Sequence, residues 1–265
     1  PLLILAGPGS GKTTVLAARI AYAVIARSVP PDHILALAFA RKAARELAAR
    51  LSGILGSHGQ GVIVTTFHAW GLRLIRQWQR ELGYDSGPLS VYDAQDAQLL
   101  LHEIAIELGV DLRQQTLAEL MARVTRYRLR AAAVSDGSVV QGLTVAYEEA
   151  LRERQAVDFA AMLTLPLRLF ETCSEARHAY QAAYDLVACD EGQDVCPVQY
   201  ALLKHIVADR YNLTLVGDPA QTIFGWRGAN AEALRDFPTD FPTARVLHLQ
   251  QNFRSTQRIV TLANA

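Results

Sequence analysis

The stretch that decides the fold is AGPGSGKTT, residues 6–14. The apolar run at residues 2–6 before it is typical of a buried strand, and residues 15–26 after it have the composition of a helix. A strand, a glycine-rich turn ending in Gly-Lys-Thr and a helix together predict a phosphate-binding loop. The alternative is a glycine-rich turn that only caps a helix. Lys12 is one of only three lysines among 26 basic residues. A lysine at this position favours the phosphate-binding loop, because a compact ammonium fits between phosphate oxygens better than a planar guanidinium does.

Each part of this loop has a predicted role toward a nucleotide. The glycines let backbone N–H groups converge on an anion, and the helix N-terminus adds the positive end of its dipole. We expect Lys12 to reach the outer phosphates and the Thr13 hydroxyl to bind Mg²⁺. The residues assigned to the nucleotide are Gly7, Pro8, Gly9, Ser10, Gly11, Lys12, Thr13 and Thr14.

Composition limits the classes of protein that fit. The chain has 265 residues, of which 51% are hydrophobic and 20% charged, with a net charge of +0, so nucleic-acid binding would have to be local. The three cysteines show no metal-binding spacing and fit a reducing cytosol, from which we expect a cytoplasmic protein. We see neither a run long enough to cross a bilayer nor a signal peptide, and so expect no membrane partner.

The order of predicted elements indicates an α/β fold. Further strands are expected at residues 33–39, 62–67, 184–189, 212–216 and 245–249. Strands that alternate with helices predict a mostly parallel sheet flanked by helices. Between them, apolar residues recur at helical spacing and convincing strands are absent, which predicts an all-α insertion. We therefore divide the chain into a first sheet part (residues 1–80), a helical insertion (81–180) and a second sheet part (181–265).

Polar, aromatic or glycine-rich residues follow nearly every predicted strand. Because ligands of open parallel sheets bind at the carboxyl ends of the strands, these residues predict one composite site. Asp190 and Glu191 follow a buried strand, where Asp190 would hold Mg²⁺ and Glu191 would deprotonate the attacking water. The alternative is an acidic helix cap.

Other side chains at these strand ends are candidates for the nucleotide. Gln193 and Gln221 are neutral donors that could sense the γ-phosphate; the alternative, an exposed turn glutamine, is stronger for Gln193 than for Gln221. Arg254 could neutralise charge on the transferring phosphoryl group. Phe253 could stack on the nucleotide base, or pack in the core.

A second group of side chains suits single-stranded nucleic acid. Its aromatic members are Phe39, Phe67, His68, Trp70 and Trp226, and Thr66 and Arg227 are assigned with them. One or two of Phe67, His68 and Trp70 must pack inward. Aromatic platforms beside arginine are typical of base stacking on single strands. Residues 123–130 form a local basic cluster that could contact phosphates, although a solvated helix face explains it at least as well.

Together these motifs resemble a UvrD/Rep-type superfamily 1 DNA helicase. The likeness runs in order through the whole chain, in AGPGSGKTT, ILALAFARKAARELAARL, TTFHAWGLRLIR, CDEGQD, LVGDPAQTIFGWRGA and LQQNFRST, with weaker markers in SVYDAQDAQLLL and VDFAAML. It departs from the family pattern at Ala40-Arg41, where Thr-Asn is usual, and at Gly192, where a bulkier residue is common.

The resemblance implies a RecA-like P-loop ATPase that uses ATP and Mg²⁺. It assigns Lys12, Thr13, Asp190, Glu191, Gln221 and Arg254 to ATP, and Phe39, His68 and Trp226 to the single-strand track. Phe253 stands where the family usually has an adenine-stacking tyrosine.

The resemblance also implies a larger motor. Its second RecA-like domain would follow Ala265, so this chain alone is expected to be weakly active or inactive. The implied activity is 3′→5′ DNA helicase or translocase, acting on single-stranded and forked DNA. Three alternatives stay open: the motor of a helicase–nuclease, a nucleotide-gated DNA-binding module that does not unwind, and, from the first motif alone, a small-molecule kinase.

Overall fold

The computed structural model describes residues 1–113, 116–130, 139–210, 212–222 and 232–263. The chain forms two compact units. The sheet unit comprises Pro1–Phe67, His178–Cys196 and Leu203–Ala265, and the helical unit comprises His68–Arg177 and Pro197–Leu202. Among the described residues, no helix is long and apolar enough to cross a membrane.

The sheet unit is built on a parallel sheet of six strands. The strands are β1 (Leu2–Ala6), β2 (Ile34–Ala38), β3 (Ile63–Thr66), β6 (Leu186–Cys189), β7 (Leu213–Gly217) and β8 (Arg245–Leu249), and their order is β3-β2-β6-β7-β1-β8. Strands β4 (Ser90–Val91) and β5 (Ala156–Val157) belong to the helical unit. The predicted α/β fold with a parallel sheet flanked by helices is confirmed.

The helices are α1 (Lys12–Arg27), α2 (Arg41–Leu55), α3 (Phe67–Gln77), α4 (Ala94–Glu107), α5 (Leu117–Arg128), α6 (Val139–Glu153), α7 (Ala161–Thr172), α8 (Ser174–Ala183), α9 (Pro197–Val207), α10 (Glu232–Asp240) and α11 (Gln257–Ala263). Helix α1 starts at Lys12, three residues before the predicted start, because the loop leads straight into its first turn. Helix α3 follows β3 directly and ends at Gln77.

Burial on both faces explains why the central strands are continuous apolar runs. Every residue of β2, with the sequence ILALA, is buried. The apolar stripe of α1, which includes Leu16 and Ile20, packs in one core with Leu47 and Leu51 of α2. Covering both faces of a parallel sheet with helices leaves its carboxyl edge as the place where polar side chains can gather.

The helical unit has its own core, formed by α4, α5 and α6. Leu101, Val124 and Tyr147 are fully buried members, one from each helix. The unit also contains a parallel pair of two-residue strands, β4 and β5. The sequence prediction of an insertion without strands is wrong on this point. A strand of two residues is too short to show the alternation of apolar and polar residues that identifies a strand.

One arginine of the basic cluster at residues 123–130 belongs to this core. The Arg128 side chain is buried and donates hydrogen bonds to Asp158 at 2.6 Å and to Glu148 at 2.8 Å. The Tyr147 hydroxyl also donates to Asp158, at 3.0 Å. Paired in this way, Arg128 is a structural residue, and the suggestion that the whole cluster contacts phosphates is wrong for this member.

Candidate ATP site and nucleic-acid interface

The loop at residues 6–14 connects β1 to α1 through two glycines with left-handed backbone. Gly9 has φ 73° and Gly11 has φ 87°, values that glycine adopts without the steric cost a Cβ imposes. The Ser10 hydroxyl donates to the Gly7 carbonyl at 2.7 Å. The loop therefore ends at the N-terminus of a 16-residue helix, an arrangement suited to binding an anion.

Lys12 and Thr13 stand in the first turn of α1. The Lys12 ammonium donates to the Ala6 carbonyl at 3.2 Å, so it folds back over the loop. The Thr13 hydroxyl donates to Oδ2 of Asp190, the residue just after β6, at 3.0 Å. Two residues 177 positions apart in the sequence are thus brought into contact, as the strand-end argument predicts.

The Thr13–Asp190 pair fits a magnesium ion by its chemistry. A hydroxyl and a carboxylate are oxygen ligands, and Mg²⁺ usually takes one or two such groups, with phosphate and water completing its coordination. Among the described residues, no group of three or more His, Cys, Asp or Glu side chains could hold a metal on its own. Burial, and then the Glu191 carboxylate, raise the pKa of Asp190, an effect that a bound cation would oppose.

Glu191 adopts a backbone conformation that is unusual for a residue with a side chain. Its φ is 54° and its ψ is 48°, which costs free energy and is found most often at functional sites. Its N–H donates to Oδ1 of Asp190 at 3.0 Å. Its side chain makes no capping hydrogen bond to the 3₁₀ turn Gly192–Asp194 that follows. This geometry gives no support to the alternative of an acidic helix cap.

Gln193 connects Glu191 to the end of β7. The Gln193 side chain is 2% exposed, and its Nε2 donates to Oε2 of Glu191 at 2.8 Å. Its Oε1 accepts from the backbone N–H of Asp218 at 2.9 Å. The Asp218 carboxylate in turn accepts from Nε2 of Gln221 at 2.5 Å. The two glutamines singled out in the sequence therefore belong to one hydrogen-bond chain that starts at Glu191.

Asp218 is the member of this chain that the sequence reasoning did not assign. It lies directly after β7, buried, and also accepts from the Ala220 N–H at 3.0 Å. Its position at a strand end, in the pair Gly217-Asp218, was the available signal.

Gly192 is a packing requirement in this structure. A Cβ at this position would lie 2.8 Å from side-chain atoms of both Leu215 and Leu234. A larger side chain at this position would therefore require Leu215 of β7 and Leu234 of α10 to shift.

Among the described residues, Asp194 is the carboxylate near Glu191 that has a buried oxygen without a hydrogen-bond partner. It is 7% exposed, and its Oδ1 is buried without a hydrogen-bond partner. Burial, and then the charge of Glu191, raise the pKa of Asp194 from 3.8 to about 6. The Asp194 carboxyl therefore stays neutral to a higher pH in the folded protein than in the unfolded chain.

Replacing Asp194 with asparagine should raise the melting temperature at about pH 8 and change it little near pH 4. Asp194 favours folding most below its unfolded pKa of 3.8, and this contribution is lost as the pH rises through about 6. Thermal unfolding at both pH values, with the exposed Asp32→Asn as the control, measures the difference. An equal change in melting temperature at the two pH values would contradict the assignment.

The segment after β8 lies on the phosphate-binding loop. The Phe253 N–H donates to the Gly9 carbonyl at 2.8 Å, and Nδ2 of Asn252 donates to the Pro8 carbonyl at 2.7 Å. Phe253 is 72% exposed, so the alternative of core packing is wrong. Arg254 is also exposed. Both side chains are available to a ligand at the loop.

The predicted DNA-contacting residues fall into separate groups. Phe39, in the sheet unit, is partly exposed, whereas Thr66 and Phe67 are buried. His68, in the helical unit, is partly exposed and makes an edge contact with the ring of Phe159 at 5.8 Å. Trp226 and Arg227 lie outside the described residues.

Trp70 requires a correction. It is 1% exposed and packs against Phe170, with ring centroids 6.2 Å apart. A ring enclosed in this way cannot stack on a DNA base, so its assignment to the nucleic-acid interface is wrong. The buried Thr66 side chain likewise presents little surface to a ligand.

The fold and this site define a P-loop nucleotide-binding protein of RecA-like type. Comparison of the sequence with family models matches residues 1–242 to the UvrD/REP helicase N-terminal domain. This match covers most of the chain, and the chain belongs to that family.

Curated relatives agree with the family match. The chain is 34% identical over 275 residues to the ATP-dependent DNA helicase PcrA of Leuconostoc citreum, and 33% identical over 273 residues to that of Bacillus subtilis. It is 32% identical over 273 residues to the PcrA of Staphylococcus epidermidis. In each comparison all of this chain is covered but only 37% of the relative, so the chain spans little more than a third of the relatives' length.

Proposed function

We propose that this chain is the ATP-hydrolysing part of a DNA helicase that moves 3′→5′ along single-stranded DNA. The observation that carries the proposal is the Thr13–Asp190 hydrogen bond at 3.0 Å, beside the Glu191–Gln193 contact at 2.8 Å. The first of these contacts joins the phosphate-binding loop after β1 to the carboxylate pair after β6, two strands away in the sheet, the arrangement that nucleotide hydrolysis requires. The relatives, which are named ATP-dependent DNA helicases, support the same activity.

In the proposed mechanism, Lys12 and the loop N–H groups bind the triphosphate of ATP. Thr13 and Asp190 would hold Mg²⁺, which neutralises charge on the phosphates when bound. Glu191 takes a proton from the attacking water. Gln193, which donates to Glu191, keeps one carboxylate oxygen occupied and leaves the other for the water. Arg254 stabilises charge on the transferring phosphoryl group, and Phe253 stacks on adenine.

The proposed DNA track comprises Phe39, His68, Trp226 and Arg227. Phe39 and His68 are partly exposed, which supports their inclusion. The Gln221 amide donates to Asp218, and Trp226 follows five residues later in the sequence. We propose that Gln221 couples the ATP site to the DNA track through this segment. We further propose that residues 1–80 and 181–265 form one RecA-like domain, with residues 81–180 inserted.

A second RecA-like domain elsewhere in the same polypeptide would complete the proposed motor. Such motors work by closing two domains on ATP and reopening them after hydrolysis. The greater length of the relatives supports this part of the proposal. We place the protein in the cytoplasm, in keeping with the free cysteines Cys173, Cys189 and Cys196.

Trp226→Ala should weaken binding of single-stranded DNA by about 1–3 kcal/mol, with little dependence on base sequence. The loss follows from removing a stacking platform. Fluorescence anisotropy with labelled oligo-dT at fixed salt measures it. Trp226→Phe, which keeps a ring, is the matched control and should bind more tightly than the alanine variant. Equal affinity of all three proteins for oligo-dT would show that Trp226 does not contact single-stranded DNA.

Strand separation tests the proposed function as a whole. The full-length protein is incubated with ATP, Mg²⁺ and duplexes that carry a 3′ or a 5′ single-stranded tail, and the Lys12→Ala variant is run beside it. Separation of the 3′-tailed duplex alone supports the proposal. ATP-dependent DNA binding without separation would instead indicate a nucleotide-gated binding module, and degradation of the released strand would indicate a helicase–nuclease.

A further inference from the structure

The Asn252 side chain joins two segments of the ATP site that are far apart in sequence. Its Nδ2 donates to the Pro8 carbonyl at 2.7 Å. Its Oδ1 accepts from the backbone N–H groups of Arg254 and Ser255, each at 2.8 Å. One amide group thus shapes the turn that carries Arg254 and fastens this turn to the phosphate-binding loop.

The two segments also approach so closely at Gly9 that a side chain there would clash with the segment after β8. A Cβ on Gly9 would lie 2.6 Å from Cβ of Arg254 and 2.8 Å from Oδ1 of Asn252. The Gly9 carbonyl accepts from the Phe253 N–H at 2.8 Å. The carbonyls of Pro8 and Gly9 are therefore occupied by the segment after β8.

The bond to Pro8 is not needed to form the turn. An oxygen that accepts from the two following N–H groups is enough for a local turn, and aspartate would supply it equally well. Only asparagine also offers an N–H₂ donor to a carbonyl. Asparagine at position 252 therefore serves the contact with Pro8, 244 positions away in the sequence, as well as the local turn.

We propose that Asn252 is a positioning residue that holds Arg254 at a fixed distance from the phosphate-binding loop. The inference rests on the proposed function, because Arg254 matters only if a phosphoryl group is transferred at this loop. The Phe253 and Arg254 side chains are exposed, so they contribute little packing that could hold the segment in place. The segment is instead held by the Asn252 side chain, together with the backbone bond from Phe253 to Gly9.

The consequence for catalysis is geometric. An arginine displaced by about 1 Å from a transferring group can lose about 100-fold in rate. Asn252→Ala in the full-length protein should therefore lower kcat for DNA-stimulated ATP hydrolysis by about 10- to 100-fold, with ATP affinity within a few-fold of wild type. Asn252→Asp keeps the turn but loses the donor to Pro8, and should be impaired to a similar extent.

A double-mutant cycle distinguishes positioning from general loss of structure. We compare Asn252→Ala, Arg254→Ala and the double variant with wild type, with Arg258→Ala, an exposed arginine of α11, as the control. If Asn252 acts through Arg254, the double variant should be no slower than Arg254→Ala alone.

Two results would overturn the inference and point to different causes. If Arg254→Ala is slow and the losses of the two single variants multiply in the double variant, Asn252 does not act through Arg254, while the proposed function stands. If Arg254→Ala hydrolyses ATP at the wild-type rate, the proposed role of Arg254 fails and the positioning role fails with it. Wild-type turnover by both Asn252→Ala and Asn252→Asp would also overturn the inference.

Discussion

Replacing Glu191 with glutamine should leave ATP binding intact and slow ATP hydrolysis by about 10²- to 10⁴-fold. An amide has nearly the shape of a carboxylate but cannot take a proton from the attacking water. The amide oxygen can still accept the hydrogen bond that Gln193 donates to Oε2 at 2.8 Å. The surrounding network, which includes the contact of Gln193 with Asp218, should therefore stay in place.

Steady-state turnover and nucleotide titration of the full-length protein measure this effect. Glu46→Gln removes the charge of an exposed glutamate on α2 and serves as the matched control. Turnover by Glu191→Gln within a few-fold of wild type would exclude Glu191 as the general base. Loss of ATP binding together with turnover would mean that the variant has disturbed the loop.

Replacing Lys12 with alanine should lower the affinity for Mg-ATP by about 100-fold or more. The Lys12 ammonium lies over the loop, 3.2 Å from the Ala6 carbonyl, and is the main counter-charge that the loop offers to a triphosphate. Each hydrogen bond to a charged group contributes about 1.5–3 kcal/mol, so losing two of them lowers affinity by about 100-fold or more.

Isothermal titration calorimetry with a slowly hydrolysed ATP analogue measures the affinity. Lys42→Ala, which removes an exposed lysine of α2, should bind like wild type. Lys12→Arg keeps the charge but replaces a compact ammonium with a planar group, and should bind poorly. Unchanged affinity of Lys12→Ala would show that the triphosphate does not bind at this loop.

The central strands of the sheet, β2, β6 and β7, could be predicted from sequence because they are buried on both faces. An apolar run such as ILALA in β2, every residue of which is buried, is typical of a central strand of a parallel sheet. The strand-end rule then predicted contacts between distant residues, and Thr13 and Asp190 do meet. The phosphate-binding loop could also be recognised from sequence, because few residue types satisfy its backbone geometry.

Other features depend on packing that a sequence does not display. Trp70 was assigned to DNA for its residue type, but it shares a helix face with Leu74, four residues on, and both are buried. Helical spacing was the signal that should have placed it in the core. Arg128 is buried because Asp158 lies opposite it, 30 positions away. The role of Asn252 likewise depends on a contact with Pro8 that no local pattern reveals.

The most direct test of the central claim, that this site hydrolyses ATP to drive movement on DNA, is ATP turnover with and without single-stranded DNA. The measurement compares the full-length protein with the 265-residue chain alone. We expect oligo-dT to stimulate the full-length protein strongly. The isolated chain should be slower, by about 10³- to 10⁵-fold if an arginine contact from the second domain is required. Equal turnover with and without DNA by the full-length protein, or strong DNA-stimulated turnover by the isolated chain, would contradict this account.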